Sequence, residues 1–175
     1  VVEHKTWTTI DKTNWGDGPW QTEPDKEQWT DPETGFACLA VRHDRHGYLC
    51  GYVGMPPGHP WHGADPETLA TGVHGGTDYG AYCEPDAPEG LGICHIPEPG
   101  DPDPVWWIGF ACAHIFDIQP GRDARLKHDM GLEAIRFPPE LGWTEAYRTI
   151  EFVRSQCAFL AAQAAKAAKP RRATR

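Results

Sequence analysis

The sequence predicts an α+β fold: a small antiparallel sheet, a C-terminal helix packed on one face, and long irregular segments rich in Trp, Pro and Gly. Apolar, β-prone runs recur at 36–42, 48–54 and 105–114, bounded by turn-forming residues. A single helical pattern occupies 144–168. The stretches between them hold too much proline and glycine to extend either kind of element.

Residues 1–35 include "WGDGPWQTEPDKEQWTDPETG", in which neither a helical nor a strand period persists. Trp15, Trp20 and Trp29 each bury a large area when packed, so this segment reads as an ordered wrap that also walls a pocket. "FACLAVR" and "YLCGYVG" flank the turn "HDRHG" and predict a hairpin over 36–54. "MPPGHPWHG" breaks the structure, "DPETLA" starts a short helix, and "GVHGGTDYG" reads as a short strand running into a glycine turn. Residues 84–104 hold six prolines in 21 residues, which excludes a central strand, although "GICHI" inside them suits a short one. "VWWIGFACAH" is the strongest strand, and "MGLEAIRFPPELG" is irregular. In the final helix Tyr147, Ile150, Val153, Cys157, Leu160 and Ala164 form the apolar stripe, with Thr144 as N-cap and Pro170 as the stop. These elements predict one domain over 1–169 and a flexible basic tail over 170–175.

With 23% charged and 39% hydrophobic residues, the composition is that of a globular protein rather than a disordered one. No run approaches the roughly 18 apolar residues of a membrane span. The net charge of −9 is uneven: residues 1–165 carry 11 basic against 25 acidic side chains. So acidic a body repels a phosphate backbone, which argues against general nucleic-acid binding. The six cysteines include no C-x-x-C pair, which gives no support to a zinc ribbon or a thioredoxin motif. Several lie in apolar runs, where a reduced cysteine packs as a small hydrophobe, so free thiols in a reducing cytoplasm are expected.

The candidate chemistry centres on histidine. In "WWIGFACAHIFD" alternation places Trp106, Ile108, Phe110, Cys112 and His114 on one face, with Asp117 where the strand should end. An aspartate there can fix a histidine's tautomer and orientation. "HGGTDYG" sets His74 before Gly75 and Gly76, whose backbone lets a ligand approach closely, with Tyr79 following. An imidazole titrates near neutrality, which suits acid–base work. His62, beside Trp61 and glycine, is a further candidate for ligand contact. His43 and His46 lie in the hairpin turn, where solvation is the simpler reading than metal binding.

The pieces "GPWQTEPDKEQWTDPETG", "CLAVR", "LCGYVGMPPGHPWHG", "VHGG" with Tyr79, "WWIGFACAH" with Asp117, and "YRTIEFVRSQCAFLAAQ" together span about 15–163. This pattern resembles a family of small, uncharacterised proteins encoded by bacteriophages and prophages, chiefly those of actinobacteria and proteobacteria. The resemblance implies a phage accessory protein acting in the host bacterial cytoplasm. The chain departs from the family pattern in two places: Thr77 and Asp78 stand where Leu and Thr are usual, and Ala111 stands where an Asp is usual.

Two classes of function follow. One is an enzyme acting on a nucleotide-like or phosphorylated small molecule. In it His74 and His114 share acid–base work, Tyr79 and Asp117 orient them, and the Gly75 and Gly76 amides hold an anion. No cofactor is specified, and a divalent metal on His62, His74, His114 or Asp117 is a variant of this reading. The other is a non-catalytic counter-defence binder, either a nucleotide sponge with Trp106 and Trp107 stacking a base, or an inhibitor docking its acidic body on a host protein.

Overall fold

A computed structural model describes residues 4–84, 86–101, 104–138, 140 and 142–169. Six strands, β1 (Lys5–Trp7), β2 (Lys26–Thr30), β3 (Ala37–Arg42), β4 (Leu49–Met55), β5 (Tyr79–Ala81) and β6 (Trp106–Ala111), join two helices, α1 (Pro120–Met130) and α2 (Ile150–Ala167). The strands form one sheet in the order β1-β2-β3-β4-β6-β5, and each neighbouring pair is antiparallel. The expected α+β architecture is therefore present, with the hairpin and the 105–114 strand side by side as β3-β4-β6.

Strand alternation sorts the core into two layers. Cys38, Ala40, Leu49, Val53, Met55, Ile108 and Phe110 meet α2, which answers with Val153, Cys157, Leu160, Ala161 and Ala164. Each fully buried Val, Leu or Ile in this layer contributes about 1.5–3 kcal/mol. On the other face Leu39, Val41, Tyr52 and Trp107 pack together with Val105, and Ile93 from the proline-rich segment packs against them. Two glycines make this double packing possible. Gly51 pairs with Phe110 and Gly109 with Tyr52. A β-carbon on Gly51 would fall 2.4 Å from the Phe110 ring, and one on Gly109 would fall 2.3 Å from Tyr52. Each aromatic ring occupies the space its glycine leaves, one on either face of the sheet.

The structure corrects several sequence expectations. The region 1–35, read as irregular, contains β1 and β2. Residues Lys26 to Gln28 are all buried although they are charged or polar. Arg154 of α2 forms a bidentate pair with Glu27 at 2.8–3.1 Å, and His4 also bonds Glu27. Lys26 donates to the carbonyls of Glu89 and Cys94 at 2.5 and 2.7 Å. A strand whose charges find partners so far along the chain loses the alternation that would reveal it.

The segment "GICHI" is not a strand. Side chains hold it instead, since Gln28 bonds both the amide and the carbonyl of Ile96. In 72–80 the glycine turn comes first and the strand β5 follows it. "DPETLA" yields only a 3₁₀ turn over Pro66–Thr68. Helix α1 has a proline in its first turn and ends at Gly131 in the left-handed conformation. It buries only Pro120 and Gly121, so it shows no apolar stripe in the sequence. The last helix starts later than expected, with Thr149 as its N-cap, accepting from the Phe152 amide at 3.3 Å. The basic tail 170–175 lies outside the described residues. Among the described residues no helix is long and apolar enough to cross a membrane.

Tyr147, expected on the α2 stripe, joins a buried ionic cluster instead. Arg42, 1% exposed, uses all five of its N–H groups. They reach Asp25 Oδ1 (3.1 Å), the Gly47 carbonyl (3.0 Å), Tyr147 Oη (2.6 Å), Glu23 Oε2 (3.1 Å) and the Pro24 carbonyl (3.1 Å). Tyr147 donates onward to Glu23 at 2.6 Å, and the Ile150 amide donates to the other Glu23 oxygen at 2.9 Å. Lys12 bonds Asp25 at 2.8 Å, so two cations balance two carboxylates. Burial pushes the Asp25 carboxyl up, but bonds from Lys12 and the Ile10 and Thr9 amides outweigh it and hold the group below the usual carboxylate range. Arg42→Ala leaves Glu23 and Asp25 facing each other without their main cation. It is expected to lower the unfolding free energy by about 3–5 kcal/mol in urea titrations.

The expectation of six free thiols is also overturned. Cys83 and Cys94 form a disulfide, while Cys38, Cys50, Cys112 and Cys157 are free. The bond closes the loop in which the Glu89 carbonyl caps Lys26, a constraint worth about 3 kcal/mol for a loop of this length. Spacing alone gave no hint, because the two cysteines are brought together by the fold of a proline-rich segment. Thiol titration of denatured, non-reduced protein should find four thiols per chain, and six after reduction.

Candidate functional site

Two segments that leave the antiparallel β5-β6 pair at the same end, one before β5 and one after β6, meet against α2. The first is the loop at 72–78. Gln156 of α2 accepts from the His74 amide at 2.8 Å, Gln163 accepts from the Gly72 amide at 3.2 Å, and the Asp78 amide donates to Gly109 on β6 at 3.0 Å. The second is the turn that follows β6. There the Asp117 amide donates to the His114 carbonyl, and the His114 amide donates back to Asp117 Oδ2, both at 2.9 Å. Backbone bonds from Ala146 to Phe116 and from Ile118 to Ala146 tie this turn to the segment leading into α2.

Asp117 is the centre. It is 4% exposed, and three groups bond its carboxylate. His74 Nε2 lies 2.7 Å from Oδ2, and Arg148 Nε donates to Oδ1 at 2.7 Å. The His114 amide supplies the third bond. Burial pushes the Asp117 carboxyl up, but the bonds from His74, Arg148 and His114 prevail and hold it below the usual carboxylate range. Phe152 packs edge-on to the His74 ring with centroids 5.3 Å apart, and the Arg148 guanidinium sits 5.1 Å from the Phe152 centroid. The His114 ring stands 5.1 Å from that of His74.

His114 depends on Gly75. A β-carbon at position 75 would fall 1.7 Å from His114 Nε2, and Gly75 has φ of +71°, so both space and backbone call for glycine. Asp78 stands at the rim, where partial burial raises its carboxyl and the neighbouring His114 opposes that shift. Cys112 is buried beneath, and burial together with Asp117 raises its thiol well above the ordinary value, which rules it out as a thiolate nucleophile.

Of the residues expected at the site, His74, Gly75, His114 and Asp117 come together, with Gly76 next in the same turn. His114 is not the buried end of the aromatic face. The strand stops at Ala111, and His114 is exposed in the turn beyond it. Tyr79 does not join the group: it packs 5.2 Å from Tyr52 on the sheet face opposite α2, so it cannot orient either histidine. His62 bonds the Pro104 carbonyl at 3.1 Å and packs against Tyr82. Trp107 is fully buried, and Trp106 packs against the α2-side core while donating to the Ala64 carbonyl at 3.2 Å. Neither tryptophan can stack a base at the histidines.

Sequence reasoning missed Arg148, Phe152 and Gln156. Phe152 and Gln156, four residues apart on α2, carried a signal as a second stripe beside the apolar one, whereas Arg148 lies ahead of the helix and carried none. The expected pocket wall also exists, but elsewhere: Trp15 and Trp20 line a cavity against α1 with Asp123 and Lys127. Comparison with family models, with curated proteins and with solved structures finds no match.

The chemical content is a buried carboxylate fixing one imidazole, with a second imidazole and a guanidinium beside it. Because Asp117 is more acidic folded than unfolded, its stabilising effect is present above the unfolded pKa and is lost as pH falls through the folded one. Asp117→Asn should therefore differ most from the parent protein in stability above about pH 5, and the difference should shrink as pH falls below about 4, read from melting temperatures.

Proposed function

We propose that the protein is an enzyme acting on a nucleotide-like or phosphorylated small molecule by histidine acid–base chemistry. The observation that carries this reading is the convergence of His74, His114 and Arg148 around one buried carboxylate. Asp117 accepts at Nε2 of His74, which places the lone pair on Nδ1, and Nδ1 has no partner among the described residues. His74 then takes the proton of an attacking water or substrate hydroxyl as its oxygen bonds to phosphorus. His114 delivers a proton to the departing oxygen as the old ester bond breaks. The guanidinium of Arg148, bound to Asp117 through Nε alone, keeps its outer N–H groups for a non-bridging oxygen.

Action as a phage or prophage accessory protein in the host cytoplasm rests on the sequence resemblance. The Cys83–Cys94 bond weighs against so reducing a compartment. A second reading, inhibition of a host protein, draws on apolar side chains left in solvent: Ile115, next to His114, is 69% exposed, Ile135 87% and Trp143 49%.

Assay of the purified chain against bis(p-nitrophenyl) phosphate and a panel of linear and cyclic nucleotides tests the enzyme. His74→Ala and His114→Ala are each expected to lower turnover by about 10²–10⁴-fold. His114→Ala should melt near the parent protein because His114 is exposed, whereas His74→Ala, which removes a bond to the buried Asp117 carboxylate, should lose about 1.5–3 kcal/mol and still fold. Absence of turnover by the parent, or full activity in either variant, would sink the reading.

A further inference from the structure

We infer that His74, His114 and Asp117 also bind a divalent transition cation of the zinc type, which displaces the proton shared by His74 and Asp117. One potential ligand atom from each of the three side chains lies within 4.8 Å of the other two. Two imidazole nitrogens and one carboxylate oxygen suit zinc-type ions, whereas magnesium and calcium take oxygen ligands. Among the described residues no other cluster of three such side chains is brought so close.

The geometry is close to that of a loaded site. His74 Nε2 and Asp117 Oδ2 are 2.7 Å apart across a single proton. Two ligands on one zinc ion, each about 2.0–2.1 Å from it, stand about 3.0–3.5 Å apart. An opening of a few tenths of an ångström therefore admits the ion in place of the proton. His114 needs the larger adjustment, and it is the exposed member of the three, carried on a turn. The surroundings already supply the outer bonds that steady metal ligands: Arg148 on the second Asp117 oxygen and Gln156 on the His74 backbone. The positive charge of Arg148 weakens the site. With three protein ligands, a fourth position stays open to solvent.

The inference shares its side chains with the acid–base reading but does not need the activity. A cation on Nε2 leaves the remaining ring proton of neutral His74 on Nδ1, which removes the base. Bound cation and acid–base catalysis by His74 therefore exclude each other, and zinc becomes an inhibitor of the metal-free enzyme.

The test uses the full chain after treatment with a chelator. Zinc is titrated by calorimetry and cobalt(II) by its visible absorption. One ion per chain is expected, with a cobalt spectrum of low coordination number. His114→Ala, at an exposed position, should weaken binding at least tenfold, and His74→Gln should do the same. His43→Ala, outside the three-residue cluster, should leave binding unchanged. No binding at millimolar metal, or undiminished affinity in His114→Ala, would overturn the site. Turnover by the metal-free parent is read separately, so cation binding to an inactive protein would uphold this inference while defeating the catalytic one.

Discussion

The buried guanidinium of Arg42 is the constraint on which the rest of the structure depends. It sits on β3, in the middle of the sheet, and a cation there is tolerable only if every N–H finds an acceptor. Those acceptors come from three directions: the segment before β2, the turn after β3, and Tyr147 just ahead of α2. Satisfying one side chain therefore fixes where the N-terminal wrap lies and where the final helix begins. Glu23 completes the link, because its second oxygen takes the Ile150 amide and so secures one of the orphan donors at the start of α2.

From that anchor the site follows. Arg148 and Phe152 flank the start of α2, and Gln156 is one turn further on. Fixing the helix start also fixes the face that meets the 72–78 loop. The carboxylate of Asp117 then joins three pieces of chain that the Gln156 and Ala146 bonds also bring together. Its bonds to His74 and Arg148 span 43 and 31 residues of sequence. A buried carboxylate with three donors leaves its neighbours little freedom of orientation, which is what a group handling protons requires.

The sequence made the apolar parts of this fold legible and hid the ionic ones. The β3-β4 hairpin, β6 and the α2 stripe were readable because their burial is carried by hydrophobic side chains with a regular period. Strand β2 was not, since Lys26, Glu27 and Gln28 are buried by virtue of partners on α2 and the proline-rich segment. Helix α1 was hidden for the opposite reason, having almost nothing apolar to bury. At the site, His74 and Asp117 were legible as types suited to the chemistry beside glycine or a strand end. Tyr79 looked equally suitable, but strand alternation sends it to the other face. Arg148 was invisible because its role is defined only by Asp117, which sequence spacing cannot place beside it.

The bond between Glu23 and the Ile150 amide crosses 127 residues, and the pairing of Glu27 with Arg154 spans as many. Such contacts impose an order on synthesis. While the chain is emerging from the ribosome, Glu23, Asp25 and Glu27 have no complete set of partners and remain hydrated. The β3-β4 hairpin forms from local contacts, but β2 and its charges wait for the last helix. Residues 23–27, made well before the helix that completes their bonds, are thus among the last parts of the sheet to settle.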